Sequence, residues 1–192
     1  MVSSTRHIHV RARDTGLVAA WIAYVFIAAA IALSPWFSFY DNALSDLGNY
    51  ARQGPLAAIF NIGLVASGAL ATVTAALIIR AGGGRLVLPW SVLLFAAGVD
   101  LVLVGILSED FGAAHFVVSV ILFTLFSLTL LVYGACSLMS RGWWAGTYAL
   151  VAGLVSAAIW MVDWPWRGVA IQELASSLLI SVGLTTVAFR HG

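Results

Sequence analysis

Apolar positions along this chain gather into six long runs. They cover about Leu17–Trp36, Pro55–Ile79, Leu86–Leu107, Ala113–Met139, Trp143–Met161 and Gly168–Phe189. A bilayer core about 30 Å thick needs roughly 20 helical residues to cross it. Each run therefore predicts a transmembrane helix. Pro55 suits the first turn of the second one. "RAGGGR" (Arg80–Arg85) separates the second and third runs, and "SRG" (Ser140–Gly142) the fourth and fifth. Connections this tight force antiparallel neighbours. The longest connection runs from Phe37 to Gly54. Within it "DNALSDLG" predicts a short helix, with Asp41 as N-cap and Gly48 as its stop, lying over the mouth of the bundle. It would serve as a lid or as a plain interfacial helix.

Composition strengthens this picture. The chain has 192 residues, is 62% hydrophobic and only 9% charged, against about a quarter charged in soluble domains. Mean hydropathy is +1.02. The expected fold class is all-α: a polytopic membrane bundle of six transmembrane helices. A tail over residues 1–16 would precede a single domain over 17–190. No cleavable signal peptide is expected, because no small-residue site follows a short apolar core. Cys136 is the single cysteine, which excludes an intrachain disulfide and a cysteine-only metal site. A net charge of +1 makes nucleic acid an unexpected partner.

The nine basic residues are all arginine, and they set an orientation. With the N-terminus inside, Arg6, Arg11, Arg13, Arg80, Arg85, Arg141 and Arg190 lie inside. Only Arg52 and Arg167 lie outside. This positive-inside bias predicts two cytoplasmic termini in a cell membrane. Trp21, Trp90, Trp143 and Trp144 are then expected in an inner aromatic belt, and Trp36, Trp164 and Trp166 in an outer one.

The acids fall the other way. Asp41, Asp46, Glu109, Asp110 and Asp163 lie in outer connections. Asp100 and Glu173 sit about 10 Å into the third and sixth helices, at about 1.5 Å per residue. Only Asp14 is inner. His115, the one histidine away from the termini, opens the fourth helix. A carboxylate at the bilayer centre costs about 2.5–3.5 kcal/mol, so such groups face the bundle interior and find partners. His115, Arg167, Arg52 and Asn61 are the candidate partners. The stretch "LSEDFGAAHFVVS" (Leu107–Ser119) concentrates the chemistry. Glu109 and Asp110 are explained in part by a helix N-terminus, whose dipole favours anions. His115 and Ser119, four residues apart, share a helix face. Ser119 as nucleophile, His115 as base and an acid as orienter would be a hydrolytic arrangement. Nothing local marks a nucleophile elbow. Asn61, with Gly63, Ser67 and Gly68, reads first as close helix packing, though it lies level with Asp100 and Glu173. Glu173, Ser177 and Ser181 form a polar stripe expected to face inward.

The candidate pocket residues are thus Asp46, Asn61, Asp100, Glu109, Asp110, His115, Ser119, Asp163 and Glu173. No three-histidine zinc site can be built. A metal would rest on Asp46, Glu109, Asp110, Asp163 and Glu173, which suits calcium, magnesium or manganese. No particular metal or cofactor is implied. The favoured function is binding or transport of a small cation, a proton or a lipid headgroup in an outer acidic pocket. Two others stay open: a metal-dependent or serine hydrolase acting on lipid at the outer interface, and a structural or assembly subunit. Expected partners are the lipid bilayer and a lipid or cation ligand, with an oligomer left open.

"LSDLGNY", "IFNIGLVASG" and "VGILSEDFGAAH", set among six hydrophobic segments, resemble the bacterial and archaeal membrane family called domain of unknown function 998. The resemblance covers about Leu17 to Phe189. The family's Ser–acid–Leu–Gly element maps onto Ser45, Asp46, Leu47 and Gly48. Its Asn–x–Gly maps onto Asn61 and Gly63, and its Pro–Glu–Asp…His onto Glu109, Asp110 and His115. Ser108 stands where the family often has proline. The resemblance implies the topology and no reaction. Multi-helix hydrolases of the alkaline ceramidase and adiponectin-receptor type are a weaker likeness, since their several zinc-binding histidines have no counterpart here.

Overall fold

The computed structural model describes residues 3–191, with side chains from residue 12 onward. The side chains of Arg6 and Arg11 lie outside the described residues. Every regular element among the described residues is helical. Six helices are long: α1 (Ser3–Ala32), α2 (Ala57–Ala81), α3 (Leu88–Ile106), α4 (Ala113–Met139), α5 (Trp143–Ile159) and α6 (Ala170–His191). α1 begins well before Leu17 and runs through much of the segment expected as a tail. Five spans are long and apolar enough to cross a membrane: Ala12–Ala32, Tyr50–Ala81, α3, α4 and α6. With 17 residues, α5 is shorter, roughly 25 Å at about 1.5 Å per residue.

The helices pack in chain order as a ring, and α6 closes it against α1. Small residues draw two hairpins tight. A Cβ built on Gly68 of α2 would lie 2.6 Å from the Gly98 carbonyl of α3. One built on Gly134 of α4 would lie 2.7 Å from the Leu150 amide of α5. Close backbone approach of this kind gives membrane helices the packing that hydrophobicity alone does not supply in lipid. The ring surrounds a narrow apolar cavity of about 100 Å³. Residues of α1, α2, α3, α4 and α6 line it, including Glu173, Ser177 and Ser181 of the α6 stripe.

The two ends of the ring differ. One carries the acids and is roofed by the long connection between α1 and α2. This roof contains three short helical turns: 3-10 turns at Ser45–Gly48 and Gly54–Leu56, and an α turn at Tyr50–Gln53 between them. Asp41 does not cap the first of them, contrary to the expectation. That turn begins after Leu44 without a side-chain cap. Asp41 instead bonds Arg167 at 2.7 Å and accepts from Ser38 at 2.9 Å, a charge partner that outcompetes a neutral capping role.

The other end carries most of the arginines and has short turns. Trp90 belongs to its core rather than to an interfacial belt. It is 1% exposed and lies against the rings of Tyr133 and His191, 5.2 and 5.0 Å away. The first turn of α3 is wedged between the ends of α4 and α6, which encloses this indole within the end of the bundle. Trp143 and Trp144, by contrast, are exposed.

Candidate functional site

The roof is tied down by polar groups that reach it from three other segments. The Tyr40 carbonyl accepts the amides of Arg167 and Gly168, and the Asn42 carbonyl those of Val169 and Ala170. Both pairs precede or open α6, where unpaired amides need acceptors. One turn on, the Glu173 carboxylate accepts the backbone amides of Leu44 and Ser45. Asn61 of α2 donates to the Gly48 carbonyl at 2.9 Å. Asp110, from the α3–α4 connection, accepts the amides of Tyr50 and Ala51 at 2.7 and 2.8 Å. It caps the start of a helical turn some sixty positions earlier in the chain, in the manner of an N-cap carboxylate.

Beneath the roof lies a second cavity of about 770 Å³. It runs down the face of α4, against the end of α5 and the start of α6. At its roof end the lining is polar: Ser45, Asn49, Glu109, His115, Ser119 and Glu173. Further down it is largely apolar, with Phe123, Leu128, Leu131, Ala157 and Trp160. Phe116, Val120 and Leu128 on its α4 wall are exposed, so the cavity is a cleft that opens sideways between helices. Ser45, Ser119, Phe123 and Glu173 also border the central cavity. These four residues are the partition between the two spaces.

The polar end has a defined wiring. His115 Nδ1 lies 2.6 Å from the Leu107 carbonyl, and Nε2 lies 3.2 Å from Ser119 Oγ. A carbonyl can only accept, so the neutral ring carries its proton on Nδ1 and Nε2 accepts the Ser119 hydroxyl. The histidine is thus oriented by a backbone carbonyl rather than by an acid. Glu109 faces Asp46 and Asn49. Burial first, then the Asp46 carboxylate, push its carboxyl up to about 7, because both disfavour a second negative charge there. Asp46 in turn pairs with Arg52 at 3.4 Å, and Arg52 stacks over the Trp36 ring at 3.9 Å. Glu109 Oε2 is buried with no hydrogen-bond partner.

Of the residues singled out from the sequence, the structure brings Glu109, His115, Ser119 and Glu173 into one cleft. Asp46 stands behind Glu109. Asn61 and Asp110 hold the roof and do not line the cleft. Asp163 is exposed in the α5–α6 connection. Asp100 borders neither cavity. It is buried, and its Oδ2 has no hydrogen-bond partner. Its four candidate partners are engaged elsewhere: His115 with Leu107 and Ser119, Arg167 with Asp41, Arg52 with Asp46, and Asn61 with Gly48. The carboxylates do not assemble for a metal either. Among the described residues, no three His, Cys, Asp or Glu side chains form a group that could hold one.

Asn49, Phe123, Ser127 and Trp160 also line the cleft and were not foreseen. The spacing of Ser119, Phe123 and Ser127 by four, which extends the face that His115 begins, is a signal for Phe123 and Ser127; Asn49 and Trp160 lie outside α4 and carry none.

A family model described as "Protein of unknown function (DUF998)" matches residues 17–190. No curated protein and no solved structure matches the chain.

Proposed function

The chain belongs to the DUF998 family, and we propose that it takes an amphiphilic lipid from the bilayer into the lateral cleft. The headgroup would sit under the roof and the chain would lie along α4. One observation carries this reading: a single cleft of about 770 Å³ whose lining changes from polar to apolar along its length and whose mouth opens between helices. Ligand cavities typically measure about 300–1,000 Å³ and combine an apolar body with a few convergent polar groups. Glu109 and Glu173 give the polar end carboxyl oxygens as acceptors, which a cation placed beside them would draw toward the ionised form, and Ser119 and His115 add a hydroxyl and an imidazole. That set suits a headgroup that donates hydrogen bonds and carries positive charge, such as a primary amine. It repels a bare carboxylate.

In this reading α5 is a sixth span, because it joins the arginine end to the acidic end within the ring. The termini are cytoplasmic and the acidic end faces outward across the cell membrane, as the arginine distribution supports. The headgroup then comes from the outer leaflet.

The test compares chain-matched amphiphiles below their micellar concentrations. Dodecylamine should quench or shift the fluorescence of detergent-purified protein and raise its melting temperature. Dodecanoate should do so at least about tenfold less well. Glu109→Gln should reduce the preference, and Trp160→Phe should remove most of the optical signal. Equal responses to the amine and the carboxylate sink the headgroup assignment. No response to either sinks the cleft itself.

A second reading rests on the Ser119–His115 hydrogen bond, the geometry of a hydroxyl activated by a base. Against it, Ser119 lies inside α4, where the neighbouring amides are committed to helical hydrogen bonds and offer no oxyanion hole. Covalent labelling of Ser119 by a fluorophosphonate, abolished in His115→Gln, would move this reading ahead of the first.

A further inference from the structure

A third cavity, of about 470 Å³, lies at the arginine end. Three separate parts of the chain build it. The α2–α3 turn brings Arg85, the end of α4 brings Ser137 and Ser140, and the end of α6 brings Arg190 and His191. Its floor is rigid. The buried Trp90 ring lies there against Tyr133 and His191.

Arg190 is seated rather than loose. Its Nη1 donates to Ser137 Oγ at 3.5 Å. Its guanidinium occupies the space beside Gly142, where a Cβ would lie 2.6 Å from Arg190 Cζ. Only a residue without a side chain leaves that space. Ser140 spends its hydroxyl on the Ser137 carbonyl at 3.0 Å. Ser137 accepts from Arg190 and so keeps its own O–H to donate.

The charge here has no carboxylate partner among the described residues. Among the described residues the two ion pairs are Arg52–Asp46 and Arg167–Asp41, both at the acidic end. Within that described set, neither Arg85 nor Arg190 has a carboxylate within ion-pair distance. Two arginines, a hydroxyl donor and an aromatic floor thus border one concave space, with no acidic side chain among its described lining residues. Arginine forks match the oxygens of phosphate in pairs, and basic pockets between membrane helices recognise phosphate-bearing headgroups.

We propose that this cavity binds a phosphate group, held by Arg85 and Arg190 with Ser137 as hydrogen-bond donor. The site is independent of the lateral cleft and lies at the opposite end of the bundle. The phosphate belongs either to a lipid headgroup or to a soluble phosphate ester, and the experiment separates the two.

The full chain is measured in two arms. In detergent, sodium phosphate and glycerol 3-phosphate are titrated against sodium chloride at matched ionic strength, with melting temperature as the readout. In nanodiscs, retention of phosphatidic acid against phosphatidylcholine is read by native mass spectrometry. Wild type should respond in at least one arm. A response to soluble phosphate alone assigns the ester, and retention of phosphatidic acid alone assigns the lipid. Arg85→Gln should weaken the response by about tenfold or more. Gly142→Ala should weaken it by displacing Arg190. Arg80→Gln, an exposed arginine outside the cavity, removes the same net charge and should leave it intact. Arg85 is exposed in a turn, so its replacement does not threaten the fold. The proposal is overturned if wild type responds in neither arm, or if Arg80→Gln weakens the response as much as Arg85→Gln.

Discussion

The roof at the acidic end and the turn between α4 and α5 both reverse the chain, and they do so by different means. The α4–α5 turn is local. The Arg141 amide donates to the Leu138 carbonyl at 3.0 Å and the Gly142 amide to Ser137 at 2.7 Å, the paired bonds of a Schellman ending. Nothing distant is needed to hold it. The roof is the reverse. Its short turns are fastened by Glu173, Asn61 and Asp110 from three other segments. A local turn leaves charges near it free to meet a ligand, as with Arg85 and Arg190. A roof fastened by side chains occupies most of the polar groups that would otherwise mark a site.

The sharpest way to break this contrast is at Glu173. Glu173→Ala removes the acceptor of two roof amides and leaves them under the roof without partners. A buried donor left unsatisfied costs about 1–3 kcal/mol. A loss of about 3 kcal/mol, or roughly 6–12 °C in melting temperature for a chain of this size, is expected. Glu173→Gln keeps an acceptor oxygen and should lose less than half of that. Equal losses would mean that the charge, rather than the acceptor, holds the roof.

Next comes Glu109, whose contribution depends on pH. Its carboxyl is raised from 4.5 to about 7 in the folded chain, so the folded state binds the proton more tightly than the unfolded one. Stability from this group is therefore full below about pH 4.5 and is lost as pH rises through 7. Wild type should melt at progressively lower temperature across that window. Glu109→Gln should flatten this part of the profile and be the more stable chain at pH 8. A profile unchanged by the substitution would show that Glu109 does not titrate against Asp46.

These two acids also show how far the sequence could be read. The six helices follow from hydropathy, because a bilayer imposes one length and one polarity on every span. The pairing of His115 with Ser119 follows from helical spacing. The roof does not follow from either rule. Asp110 reads as an acid at the start of α4, yet it caps Tyr50–Gln53, because the α3–α4 hairpin folds beneath that turn. Asp41 reads as a cap, yet Arg167 takes it. Asn61 and Asp100 share a depth with Glu173 but not an orientation, and depth is all that a residue count along a helix provides. The phosphate cavity was hidden for another reason. Its arginines already had a sufficient explanation in topology, and Arg85 and Arg190 are 105 positions apart in the numbering.

The α4–α5 turn offers a smaller test of opposite sign. Arg141 has φ +62°, in the left-handed region, at the position where Gly82 with φ +73° ends α2. The two helices end alike, one with the residue the geometry favours and one without it. Arg141→Gly should stabilise the chain by about 0.5–1 kcal/mol, read as a small rise in melting temperature. A loss would mean that the arginine side chain contributes more than its backbone strain costs.

The smallest effect is expected where the geometry looks strongest. Arg167 meets Asp41 at 2.7 Å, closer than Arg52 meets Asp46. Yet the Arg167 and Asp41 side chains are 88% and 48% exposed, and water screens an exposed pair nearly as well as it solvates its separated partners. The Arg167 bond, followed by the Ser38 bond, holds the Asp41 carboxyl below its ordinary value. That contribution is present at neutral pH and vanishes only as pH falls through the lowered value, the reverse of Glu109. Asp41→Asn keeps an acceptor for Arg167 and Ser38. The backbone bonds from Tyr40 and Asn42 to residues 167–170 remain in place. The melting temperature should stay within the scatter of the measurement, at low salt and at high salt alike. A clear loss that salt abolishes would show that this end of the roof is fastened by charge, and that the contrast with the backbone-closed turn of α4 is sharper than hydrogen bonds alone make it.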